Sequence, residues 1–151
     1  MKAAPTLRER ALAMLARREY SRAELARRLA PHAEDPVVLE ELLDVLAGRG
    51  QLSDARYAEA RSHSLSRKYG AARIVHELKS KGIEGELLDR MAASAREGEL
   101  ERARATWRKK FGSPPANREE KARQIRFLQS RGFSFDSIKT ILGDAESDVE
   151  P

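Results

Sequence analysis

The chain has 151 residues, 40% of them hydrophobic, 35% charged and 5% aromatic, with no cysteine and a net charge of +5. The missing thiols exclude disulfide scaffolds, thiolate zinc sites, cysteine nucleophiles and thiolate-held iron–sulfur clusters. No apolar run approaches the ~20 residues that cross a bilayer, and the early charges Arg8, Glu9 and Arg10 interrupt any secretory signal. A soluble cytoplasmic protein with no membrane contact is the expectation.

Strand signals are almost absent, and helical spacing recurs along the whole chain. Leu7, Ala11 and Leu15 share one face of a first helix. Ser21 and Glu24 have the spacing of a capping box, opening a helix with Leu25 and Leu29 on one side and Pro31 as its stop. Asp35-Pro36 is an N-cap followed by proline at the first helical position, and Leu39, Leu42, Leu43 and Leu46 form the stripe that follows, closed by Gly48 and Gly50.

The pattern then restarts. Ser53 caps a helix with Tyr57, Ala58 and Leu65. Gly70 separates it from Ala71, Ile74, Val75 and Leu78, which end at Gly82. Leu88, Met91, Ala92 and Ala95 come next. A third round holds Leu100, Ala103, Trp107 and Phe111, then a break at Gly112-Ser113-Pro114-Pro115. Asn117 with Glu120 opens Ala122, Ile125 and Leu128, and Ser134 opens a last stripe through Ile138, Ile141 and Leu142, expected to close at Gly143.

These are nine helices in three groups of three, and the groups repeat one another. Tyr20, Tyr69 and Phe111 follow the first helix of each group, at separations of 49 and 42 residues. Leu29, Leu78 and Leu128 sit late in each second helix, at separations of 49 and 50. Lys81-Gly82-Ile83 and Arg131-Gly132-Phe133 occupy one junction, where the first group has Pro31-His32. The expected fold class is all-α: three tandem three-helix units in an elongated array with soft joints. The units span 1–52, 53–96 and 97–143, and a disordered acidic tail spans 144–151. The glycines are expected at helix ends in the left-handed conformation.

Catalytic patterns are missing. His32, His63 and His76 have no metal-ligand spacing, and no phosphate-binding or nucleophile motif occurs. Glu40-Glu41 and Glu119-Glu120 are adjacent on helices, so their carboxylates diverge. The expectation is a protein that is not an enzyme, needs no cofactor or metal, and is monomeric.

Basic clusters are the informative feature. Arg17-Arg18, Arg67-Lys68 and Arg108-Lys109-Lys110 end the first helix of each group. Arg27-Arg28 end the second helix, and Lys121, Arg123, Arg126 and Arg131 populate the eighth. One cation per helix end complements the helix dipole. That does not explain ten basic and two acidic residues over 102–131. These thirteen residues are the candidate contacts to an anionic partner, either nucleic-acid phosphates or an acidic protein surface. Gln124 and Arg131 could share a reading face. Trp107, Phe127, Phe133 and Phe135 are expected in the core, with Phe127 the ring best placed to stack on a base.

The run Arg18-Glu19-Tyr20-Ser21-Arg22-Ala23-Glu24-Leu25 and the segment Arg49-Gly50-Gln51-Leu52-Ser53-Asp54 with Tyr57-Ala58 resemble the bacterial RecX family. So do Tyr69-Gly70 leading to Ile74, Glu77-Leu78 and Lys81-Gly82-Ile83, and the ending Arg131-Gly132-Phe133-Ser134-Phe135-Asp136 with Ile138 and Ile141-Leu142. The likeness runs from about residue 7 to 143. It implies three tandem three-helix units in an elongated, curved array and a cytoplasmic regulator of the RecA recombinase in DNA repair and recombination. Such a regulator binds the RecA filament on single-stranded DNA and restrains its ATPase and strand exchange, with double-stranded DNA as a secondary partner. The other reading of the residues is a stand-alone basic helical DNA-binding module.

Overall fold

Side-chain oxygens start most of the helices in the computed structural model, which describes residues 3–147. Thr6 caps α1 (Leu7–Arg17) in a reciprocal box with Glu9. Ser21 caps α2 (Arg22–Leu29), which a 3-10 turn at Ala30–His32 continues. Asp35 accepts from the Val37 amide and starts α3 (Pro36–Gly48). Ser53 caps α4 (Asp54–Ser66), and Gly70 precedes α5 (Ala71–Ser80). α6 (Gly85–Glu97) and α7 (Glu99–Lys110) are separated by Gly98 alone. Asn117 caps α8 (Arg118–Ser130), and α9 (Phe135–Ser147) follows Ser134. All nine α-helices expected from the stripes are present, and the described residues contain no strand.

The full capping box belongs to Thr6 and Glu9, not to Ser21 and Glu24. Ser21 does accept from the Glu24 amide at 3.1 Å, but the Glu24 carboxylate turns to Arg18 at 2.7 Å instead of the N-cap backbone. α9 also passes through Gly143 to Ser147. Residues 144–147 are therefore helical, while the rest of the expected tail lies outside the described residues. Within α9, Asp144 pairs with Arg104 and Glu146 with Lys121, so part of the acidic end folds back on the third unit's basic block.

Three separate apolar clusters form the cores. Leu25, Leu29, Leu43 and Leu46 centre the first, and Tyr57, Ile74, Leu78 and Ile83 the second. Trp107, Leu128, Phe133 and Ile141 centre the third. Helices of 8–13 residues are marginal alone in water, so each triplet is held by its own cluster. The accessible surface is 10061 Å2, against roughly 7,700 Å2 for a compact chain of this mass. That excess fits an extended array of small bundles.

The joints between units are built the same way twice. The turn after the second helix of one unit docks on the N-terminus of the second helix of the unit before. Ser21 Oγ donates to the Lys81 carbonyl at 2.6 Å, and the Gly70 amide donates to the Arg131 carbonyl at 2.8 Å. A carboxylate at the start of the next unit then accepts from the first helical amide. Asp54 takes the Arg22 amide at 2.8 Å, and Glu99 takes the Ala71 amide at 3.1 Å.

Glycine permits both contacts. Gly82 has φ +85° and lies against Ala23; Gly132 has φ +85° and lies against the Arg73 backbone. Gly70 adopts an ordinary φ of −82°, yet a side chain there would strike the Gly132 carbonyl and Phe133. Left-handed caps occur at Gly50, Gly82, Gly112 and Gly132, a fifth left-handed glycine, Gly85, opens α6, and Gly70 is needed for closeness instead. These joints are specific docking contacts built from hydrogen bonds and close-packed glycines. The first unit has Pro31-His32 where the others have glycine, and its turn runs on as a 3-10 helix at Ala30–His32.

Candidate partner-binding surface

Helix ends bring the cations out of the bundles. Arg108, Lys109 and Lys110 occupy the last turn of α7. There they offset the partial negative charge of that helix end, and all three stay exposed. Arg67 and Lys68 follow α4 in the same manner. Arg123 and Arg126 project from α8 and line a shallow groove with Asn117, Glu119 and Glu120. None of these seven cations makes an ion pair among the described residues.

Rings draw part of this set together across the second joint. Phe127 packs edge-on against Phe111 at 5.5 Å. Lys110 lies 5.3 Å and Arg131 5.1 Å from the Phe127 ring. Arg131 also reaches the Tyr69 ring at 5.7 Å, and Arg73 covers that ring at 4.9 Å. The result is a continuous cationic–aromatic strip from unit two to unit three. Arg73 escapes a search for basic clusters because it stands alone in sequence. Its one signal is its place four residues after Tyr69, in the first turn of α5.

The first unit uses its arginines differently. Arg18 and Arg28 hold the Glu24 carboxylate at 2.7 and 3.3 Å, and that side chain is only 3% exposed. Both also cover the Tyr20 ring, Arg18 at 3.6 Å and Arg28 at 5.6 Å. Burial pushes the Glu24 carboxyl up, but the Arg18 hydrogen bond and the charges of Arg18, Lys81 and Arg28 outweigh it, leaving its pKa below the ordinary value. These two charges are largely spent inside the unit. Arg17 and Arg27 remain exposed and unpaired among the described residues, while Lys121 pairs with Glu146.

Two expectations about reading residues change. Gln124 is buried, accepting from the Trp107 indole at 2.8 Å and donating to the Ser113 carbonyl at 3.3 Å. It fixes the third core and shares no exposed face with Arg131. Phe135 was expected in the core and is 59% exposed, because it is the first residue of α9 and points away from the stripe that begins at Ile138. Phe127 is half-buried, with Lys110 and Arg131 over its ring and Phe111 against it.

Among the described residues no three His, Asp or Glu side chains gather as metal ligands, and no helix is long and apolar enough to cross a membrane. Glu99 is the most connected buried carboxylate. It accepts from the amides of Ala71 and Ser134 and from the hydroxyls of Ser134 and Ser137. Burial raises its pKa, and these donors more than reverse that, so it too titrates below the ordinary value. Its partners tie the start of α7 to the starts of α5 and α9 across the second joint.

Known proteins share this plan. Residues 53–91 match the second three-helix domain of RecX, and residues 97–142 match the third. The chain is 52% identical over 137 residues to the regulatory protein RecX of Leptothrix cholodnii, covering 91% of this chain and 87% of that one. It is 44% identical over 142 residues to the regulatory protein RecX of Ralstonia nicotianae, covering 94% and 89%. A crystal structure of RecX from Lactobacillus salivarius superposes with a TM-score of 0.79 at 19% identity, covering 93% and 95%, and at that identity it speaks for the fold alone. With two three-helix family domains matched and relatives aligned over most of their length, the chain belongs to the RecX family of regulatory proteins.

Proposed function

We propose that this protein binds RecA filaments on single-stranded DNA and restrains their ATP hydrolysis and strand exchange, without chemistry of its own. The observation that carries the reading is the half-buried cationic–aromatic strip over Tyr69, Phe127 and Arg131, which runs across two units of the array beside the exposed cations of α7 and α8. Such an array suits a long, repetitive partner. Several weak contacts on one rigid chain reinforce one another through effective concentration. The cations supply attraction to phosphates, and the rings supply a stacking surface for unpaired bases.

The exposed cations of α7 and α8 also favour a second reading, a basic module that binds DNA with no recombinase involved. Substoichiometric addition to RecA on single-stranded DNA separates the two. The filament reading expects the rate of ATP hydrolysis to fall well below one copy per recombinase subunit; an unchanged rate at every concentration contradicts it. In parallel, replacing Arg108, Lys109 and Lys110 by glutamine should make the log–log salt slope on free single strands shallower by about 2. If that change leaves filament inhibition intact, protein contacts dominate over DNA contacts.

A further inference from the structure

Apolar and acidic surface is concentrated at the opposite end of the array from the basic strip. Four large apolar side chains stand exposed among the described residues, and three lie on α3: Val37 at 60%, Val38 at 54% and Val45 at 43%. The helix already buries Leu39, Leu43 and Leu46 in the first core. Val38, the half-buried Leu42 and Val45 follow at i, i+4 and i+7 and make a second stripe beside that seam. Leu42 also packs against the first core, whereas Val37, Val38 and Val45 take no part in closing it and stay exposed.

The charges around the stripe say what could cover it. Residues 33–48 contain five carboxylates and no cation. Asp35 is used as the N-cap of α3, and Glu40 and Asp44 are held by Arg22 at 2.8 and 2.7 Å. Glu34 and Glu41 are exposed without an ion pair among the described residues, and Glu41 borders the valine stripe on its solvent side. Such a face repels a phosphate backbone. It complements a protein surface with an apolar floor and a rim of lysine or arginine, where the valines are buried and both carboxylates gain partners.

Resting on the filament reading above, we infer that α3 is the protein-facing contact of the molecule. It docks on a basic, apolar patch of the recombinase, while the strip of units two and three faces the DNA. The two ends of the array then divide the nucleoprotein between them.

Two full-length variants test this, Val38→Ser with Val45→Ser and, separately, Glu41→Lys. All three positions are exposed, so folding should be retained and is checked by helicity and thermal melting. Binding is measured on RecA assembled on a single-stranded oligonucleotide and, separately, on the bare oligonucleotide. The double serine variant should lose about tenfold or more in filament affinity, Glu41→Lys should lose several-fold, and neither should weaken binding to the bare strand. Unchanged filament affinity in both variants overturns the inference and leaves the filament reading standing. A wild-type protein that binds the bare strand but no filament overturns both. Sedimentation of the free wild-type chain covers the remaining occupant. A dimer that the serine substitutions dissolve would assign the stripe to a second copy and overturn the inference.

Discussion

The two joints share one plan and differ in how deeply it is buried. At the first, Asp54 accepts a single amide from Arg22 and remains half-exposed, beside an open groove of about 540 Å3 lined by Arg18, Glu24, Tyr57 and Arg61 among others. At the second, Glu99 is buried and accepts four hydrogen bonds from Ala71, Ser134 and Ser137. The turn glycine of the first joint meets only the Ala23 methyl, whereas Gly132 meets the Arg73 backbone and also sits under Gly70. Repetition therefore fixes the direction of docking, and local burial sets how firmly each joint holds. The firmer joint lies beneath the cationic–aromatic strip, which spans two units and needs them held in register.

This contrast predicts unequal costs for equal changes. Gly132→Ala forces a side chain into the Arg73 backbone at a left-handed φ and should cost about 3 kcal/mol. Gly82→Ala has the same φ but presses on one methyl group, and should cost about 2 kcal/mol. Urea unfolding of both variants measures the difference; equal losses would contradict the ranking.

Smaller effects follow from the carboxylates. Glu99→Gln keeps the shape but weakens four charge-assisted bonds, for an expected loss of about 2 kcal/mol, and Asp54→Asn should lose about 1 kcal/mol or less. The same residues shape the acid limb. Glu24 and Glu99 both titrate below their ordinary value in the folded chain. Their stabilisation is present in full above the ordinary glutamate pKa, about 4.3. It is lost as the pH falls from there through the depressed folded values. Stability measured between neutral and acid pH should fall less steeply in Glu99→Gln than in the wild type, and an unchanged acid limb would show that Glu99 does not carry it.

Much of the fold was legible in the sequence because its signals are local. Apolar spacing, the caps at Asp35, Ser53 and Asn117, and the repeated Lys81-Gly82-Ile83 and Arg131-Gly132-Phe133 turns lie within a helix length of what they specify. What the joints do was not legible, since Ser21 meets Lys81 across 60 residues and Glu99 meets Ser134 across 35. Gly143 misled because glycine is tolerated inside a helix whose following turn is tied down, here by Asp144 to Arg104. For the surface, clusters of arginine were visible, but their availability was not. Arg18 and Arg28 look like Arg108 and Lys109 in sequence, and only the buried Glu24 between them shows that their charge is used within the unit.

Imaging of RecA–single-stranded DNA filaments decorated with this protein tests the central claim most directly. The account predicts one elongated, three-lobed density per bound copy along the filament body, with the first unit on protein and the second and third toward the DNA. A single compact lobe, or density confined to bare DNA, would contradict it.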